Sequence, residues 1–144
     1  GRGNKTLTVF GRGRLIKMVA EFDYRPKATP SGGAVRISAF ATSFIQRGTD
    51  GKLTIVVGAV SATQAVAVSN GTAYFIQHEI WYEGSGFESA LFHRFYQDGV
   101  LQGEIVAEMA GGGLSTHTWG NANKTPTWDE QCDNINVYLI PAWN

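Results

Sequence analysis

Residues 15–24 read LIKMVAEFDY, with Ile16, Met18, Ala20, Phe22 and Tyr24 on one alternation and Leu15, Lys17, Val19, Glu21 and Asp23 on the other. A period of two suits a strand, whose successive side chains point to opposite faces, and does not suit a helix. The alternation returns in residues 34–46, where Val35, Ile37, Ala39 and Ala41 oppose Arg36, Ser38, Thr42 and Gln46. Residues 52–69 are apolar on both alternations, which predicts a strand buried on both faces, and Gly58 within it suggests a bulge or bend. Asn70-Gly71 predicts a tight hairpin turn, because both residues tolerate positive φ. No stretch carries an amphipathic helix of more than a turn or two. Glycine is abundant, at 18 of 144 residues, which suits many short strands joined by tight turns.

These features predict one all-β domain over residues 1–144, an antiparallel β-sandwich or closed β-barrel of about nine to eleven strands. Gly-x-Leu recurs at Gly13, Gly51 and Gly99, which leaves a β-trefoil as a weaker possibility, since the spacings are unequal. A long polar loop is expected at about residues 111–133.

The formal net charge is zero but unevenly spread. Residues 1–47 hold nine Lys or Arg against two acids, and the remainder holds three against ten. The plainest consequence is that early strands lie beside late ones and their charges offset. A basic N-terminal third could also serve assembly with an acidic partner surface, as in a coat or shell subunit. With no run of five like charges, nucleic acid is an unlikely partner. The single cysteine, Cys132, permits no intramolecular disulfide, and its acidic neighbours argue against a reactive thiolate. No run of 18 apolar residues exists to span a membrane. The chain begins with Gly rather than Met, which points to processing or a removed leader. Three Asn-x-Thr triplets, at Asn4, Asn70 and Asn123, would accept glycans only in a secreted eukaryotic chain.

Residues 78–108 raise a sharper question. With Gly84-Ser85 and Asp98-Gly99 as two-residue hairpin loops, His78 falls opposite Leu91, His93 opposite Glu104, and Ser89 opposite Glu108. His78, His93, Glu104 and Glu108 then share one face, while Leu101, Ile105, Ala107 and Met109 assign the core to the other. A carboxylate beside an imidazole raises its pKa and orients it for proton transfer. That makes His93 a candidate acid or base, with Glu104 its orienter and His78, Tyr74 and Glu108 as helpers, in a small β-barrel isomerase or cyclase acting on an apolar molecule. The plainer reading is a solvated sheet face with weak cross-strand ion pairs. Diagonal strand neighbours are not a metal-ligand spacing, so no metal and no cofactor is expected.

The segment 114–134, LSTHTWGNANKTPTWDEQCDN, sets Trp119 and Trp128 among Asn121, Asn123 and Asp129. Indole faces stack on the apolar faces of sugars, while amides and carboxylates bond their hydroxyls. A Trp anchoring its own loop would look the same. Trp81 and Trp143 are expected to be packing residues. Hydrolase, nucleotide-binding and zinc motifs are missing. The leading expectation is therefore a lectin-like, carbohydrate-binding protein. Its candidate ligand residues are Trp119, Asn121, Asn123, Trp128 and Asp129, with Tyr82 and His78 as further members. An extracellular or surface location, with a cytoplasmic one as the alternative, and a homo-oligomer gaining avidity fit that expectation, and the ligand is a glycan or another small molecule.

Overall fold

The computed structural model describes residues 3–6, 16–40, 42–83, 90–107, 116–120 and 131–141. They form eleven strands: β1 (Gly3–Thr6), β2 (Ile16–Arg25), β3 (Val35–Phe40), β4 (Ser43–Arg47), β5 (Leu53–Val57), β6 (Val60–Thr63), β7 (Tyr74–Glu83), β8 (Ala90–Gln97), β9 (Val100–Val106), β10 (Thr116–Trp119) and β11 (Gln131–Pro141). Two antiparallel sheets result. One has six strands in the order β1-β10-β3-β4-β5-β6, and the other has five in the order β11-β2-β7-β8-β9. They pack as a sandwich, with β5 and β6 meeting β8 and β9. The architecture is neither a closed barrel nor a trefoil.

Alternation explains most of the interior. On β2 the even-numbered residues Met18, Ala20, Phe22 and Tyr24 are buried. On β4 and β5 the residues Ile45, Leu53, Ile55 and Val57 are buried with them. Each such apolar side chain contributes roughly 1.5–3 kcal/mol on burial. Two apolar clusters form. The larger includes Phe22, Tyr24, Ile37, Ile45, Ile55, Ile76 and Phe95. The smaller holds Met18, Ala20, Phe40, Ile80 and Val137.

Three bulges re-aim side chains where alternation alone misplaces them. On β3, Arg36 pairs with Gln46 but Ser38 pairs with Ile45, so Ile37 is inserted and Ser38 turns inward. On β11, Asn134 and Ile135 together oppose Phe22, and Asn134 takes φ 55°. On β9, Tyr96 pairs with Leu101 and Phe95 with Gly103, leaving Gln102 as the extra residue. Gly103 is needed there: a Cβ on it would sit 2.7 Å from the Phe95 ring. The hairpin at Asp98 (φ 51°) and Gly99 (φ 81°) is the expected turn with two positive-φ residues.

Other turns differ from expectation. Glu83 pairs with Ala90, so six residues join β7 to β8, not two. Gly58 (φ 60°) turns the β5–β6 hairpin and is not a bulge. Asn70-Gly71 turns within the connection that carries the chain from β6 in one sheet to β7 in the other, so it joins no hairpin. That connection is tied down by Arg47, whose buried guanidinium donates to Gly51 O, Ala28 O, Val68 O and Asn70 Oδ1. The stretch expected to be buried on both faces is half exposed, with Val60 and Val66 facing solvent.

The expected polar loop contains β10 and the start of β11. Early strands do meet late ones, since β2 lies between β11 and β7 and Lys17 pairs with Glu79 at 2.8 Å. Among the described residues no helix is long and apolar enough to cross a membrane.

Candidate functional site

His78 and His93 share a face, as expected. The register differs from the expected one by four residues, an even number, which preserves the faces: His78 pairs with Phe95 and Ile80 with His93. The face they share is the interior, and all three histidines of the chain are fully buried. His78 is therefore sealed in the sandwich and is not a surface ligand group. The proposed His93–Glu104 pair does not form. The β9 bulge shifts the register by one, which sets Ile105 opposite His93 and turns Glu104 to the outside, where it meets Arg94. For the same reason Ile105 is buried while Leu101, expected beside it, is exposed.

The histidines belong to a continuous hydrogen-bonded line between the sheets. Ser38 Oγ lies 2.7 Å from His117 Nε2 and 2.8 Å from His78 Nδ1. Ser43 Oγ lies 3.1 Å from His78 Nε2 and 2.9 Å from His93 Nδ1. His93 Nε2 ends the line 3.2 Å from Ala107 O. Hydrogen-bond logic assigns every proton. A carbonyl only accepts, so His93 carries its proton on Nε2, and Ser43 donates to Nδ1. Ser43 then accepts from His78 Nε2, Ser38 donates to His78 Nδ1, and His117 Nε2 donates to Ser38. All three rings are the same neutral tautomer, and one lone pair remains, on His117 Nδ1, a buried atom without a partner.

Neutrality follows from burial. Desolvation, then the charges of His117 and His93, hold His78 well below its ordinary value. Desolvation lowers His93 against the opposing Ala107 hydrogen bond, and lowers His117 to about 4. Phe40 packs its ring on His78 and His117 at 5.0 and 4.7 Å between centroids. These groups are enclosed on all sides, and the line reads as a polar part of the core.

Trp119 stands on β10, not in a loop. It stacks on His117 at 6.1 Å and packs partly buried against the larger apolar cluster. Tyr82 lies on β7 opposite Leu91, with its side chain outside the described residues. Asn121, Asn123, Trp128, Asp129 and Glu108 also lie outside the described residues.

The outward face of the five-stranded sheet carries different chemistry. Its cross-strand rows are Ile140, Lys17, Trp81, Phe92 and Val106; then Tyr138, Val19, Glu79, Arg94 and Glu104; then Asn136, Glu21, Gln77, Tyr96 and Leu101. Trp81, expected in the core, is the centre of this surface. The Arg94 guanidinium lies 4.4 Å from its ring and the Lys17 ammonium 5.5 Å, and Phe92 meets it edge-on at 5.4 Å. Desolvation pulls the Arg94 pKa down, but the Glu104 hydrogen bond and charge outweigh it and raise the value.

Two rows along the same face from the indole, Glu21 accepts from Tyr138 Oη at 3.2 Å, Gln77 Nε2 at 3.4 Å and Asn136 Nδ2 at 3.3 Å. Partial burial, then the charge and hydrogen bond of Glu21, raise the Tyr138 pKa. Exposed Phe75, Leu101, Val106 and Ile140 border the surface. Among the described residues no group of histidines, cysteines and carboxylates is arranged to hold a metal. The surface was visible in the sequence as the polar alternation of β2 with that of β7. The sequence alone does not single it out, because a tryptophan on a strand suits packing equally well.

No protein-family model matches the chain, and no curated protein sequence does. Among solved structures it is similar to the alginate lyase AlgAT5 from polysaccharide lyase family 7, with a TM-score of 0.56 and 13% identity over 91% of this chain. The match covers 63% of the lyase, so this chain spans less than two thirds of that protein. The carbohydrate-binding module CBM66 from Bacillus subtilis matches at a TM-score of 0.47 and 13% identity, covering 95% of this chain and 81% of that one. The galectin LEC-6 from Caenorhabditis elegans matches at 0.49 and 12%, covering 94% and 89%. The two stacked antiparallel sheets and the likeness to the lyase make the fold that of β-sandwich jelly-roll proteins, and at such identity the likeness extends to the fold alone.

Proposed function

We propose that this chain is a carbohydrate-binding protein that holds a glycan on the outward face of its five-stranded sheet. The observation that carries the reading is the indole of Trp81, set in a sheet surface among amide, carboxylate and phenol groups. A sugar ring needs one flat apolar partner for its C–H face and convergent polar groups for its hydroxyls. Trp81 supplies the first. Gln77, Asn136, Glu21 and Tyr138 supply the second from three neighbouring strands. Strands place such groups more rigidly than loops do, which lowers the ordering cost of binding. The segment carrying Asn121, Asn123, Trp128 and Asp129 is proposed as a second contact, with Trp119 anchoring its start. A secreted or surface location and a homo-oligomer that gains avidity accord with this role.

Affinity electrophoresis of the whole chain through gels containing soluble polysaccharides tests the proposal. Retardation by at least one polysaccharide, relieved in Trp81→Ala, is the expected result. Unaltered mobility across a broad panel defeats it. Trp128→Ala measures the share of the second contact.

A further inference from the structure

We infer that this surface takes an uncharged, hydroxyl-rich glycan and turns away polyuronates, with Trp81 Nε1 donating to one sugar hydroxyl and Glu79 Oε2 accepting from another. The inference rests on the proposed glycan-binding function and adds the class of ligand. Its first support is a pair of unsatisfied atoms. Trp81 Nε1 and Glu79 Oε2 are both shielded from solvent and both without a hydrogen-bond partner. They stand two residues apart on β7, on the same outward face. Buried polar atoms are almost always paired, and an unpaired one costs about 1–3 kcal/mol. Here a lone donor and a lone acceptor adjoin the flat ring already suited to a sugar.

Their complementary needs select hydroxyls. A hydroxyl donates and accepts, so adjacent ring hydroxyls serve both atoms. Both neutral glycans and polyuronates carry such hydroxyls, so this need sets the hydroxyl pair and leaves the choice between them to charge. Charge favours the neutral glycan. Among the described residues this face carries the carboxylates of Glu21, Asp23, Glu79, Glu104 and Asp133. Its three cationic heads are already engaged: Lys17 with Glu79 Oε1, Arg94 with Glu104, and Arg25 with Gly71 O. Glu21, Asp23 and Asp133 have neutral amides as their hydrogen-bond partners in place of cations. A polyuronate laid here would meet more negative charge than positive, since only Arg25, which donates to a neutral carbonyl, keeps a charge not paired with a carboxylate. Lys17 and Arg94 both lie over the indole on flexible stems, so a ligand reaches the ring by displacing the two cationic heads to its side.

The test is titration calorimetry of the whole chain with neutral glucans, mannans, galactans and xylans, and with alginate and polygalacturonate, at low and high salt. Expected is binding to a neutral polysaccharide with little salt dependence, and none to the polyuronates even at low salt. Trp81→Phe keeps the ring but removes the N–H, and Glu79→Gln puts an N–H₂ in place of the free acceptor. Each should weaken binding by about 10-fold with thermal stability nearly unchanged. A measurement on the unmodified protein guards against variants that fold poorly: O-methylating the bound polysaccharide removes its donors and should abolish binding. Alginate bound as tightly as the neutral glycan overturns the inference, as does undiminished binding of the methylated polymer. Binding that survives Trp81→Phe and Glu79→Gln but is lost in Trp81→Ala overturns it while sparing the proposed function. Binding to no saccharide overturns both.

Discussion

Strands β7 and β8 place polar residues on both sides of one sheet, and the two sides treat them oppositely. Inside, His78 and His93 bond only to Ser38, Ser43 and a backbone carbonyl, and every donor in that line is used. Outside, Trp81 and Glu79 stand two residues apart, each with an unpaired atom, among charges already paired with one another. The inner network serves the fold, because its one spare lone pair, on His117 Nδ1, is sealed between the sheets where no ligand reaches. An open donor and acceptor beside an aromatic ring serve recognition. Substitutions on the inner side should therefore cost stability, and those on the outer side should cost binding.

The largest expected effect is on the inner side. His78→Ala opens a cavity and strips one partner from both Ser38 and Ser43, for an expected loss of about 3–5 kcal/mol in urea denaturation. A loss near zero would break the comparison. Acid is the next probe. The buried imidazoles are neutral when folded but bind protons when unfolded, so stability is full above the ordinary histidine value and falls as pH drops below it. For His117 the decline runs from 6.5 to about 4 and amounts to roughly 3 kcal/mol. His117→Phe should flatten the stability–pH curve over that window, and an unchanged slope would show that the imidazole titrates normally.

Gly103→Ala forces a Cβ against the Phe95 ring and should cost about 1–3 kcal/mol, read by thermal melting. The smallest effects belong to the outer side. Arg94→Ala breaks a partly exposed ion pair with Glu104 and should cost about 1 kcal/mol of stability, while removing a cation from the Trp81 ring and shifting glycan affinity. A large stability loss there would erase the distinction between the sides.

Much of the fold was legible in alternation. The alternation of β2 sets Met18, Ala20, Phe22 and Tyr24 on one face, and that face is buried; the turn at Asp98-Gly99 is where its two residues place it. What alternation cannot carry is the count of residues across a bulge. His78 and His93 stayed on one face because their register error was even. Glu104 changed sides because Gln102 is a single extra residue, and one residue exchanges faces. Ser38 leaves the alternation it shares with Arg36 for the same reason, through Ile37. The burial of the histidines did have a sequence signal: Ile76 and Ile80 flank His78 on its own alternation, and Phe95 follows His93 on its own. Apolar neighbours at two-residue spacing mark a core row. The serine partners had no such signal, since nothing local ties Ser38 to His117, 79 residues away.

The serine–histidine line has a mechanical consequence. Oily contacts between two stacked sheets have no preferred direction, so a sandwich held by them alone could settle at several neighbouring offsets of similar energy. Five linked side chains crossing from Ser38 and Ser43 on one sheet to His78 and His93 on the other fit only one offset, because sliding by a single residue would orphan a proton or a lone pair at each joint. The line works as a dowel: it sets how the two layers align, and so where the indole-bearing surface lies relative to the six-stranded layer.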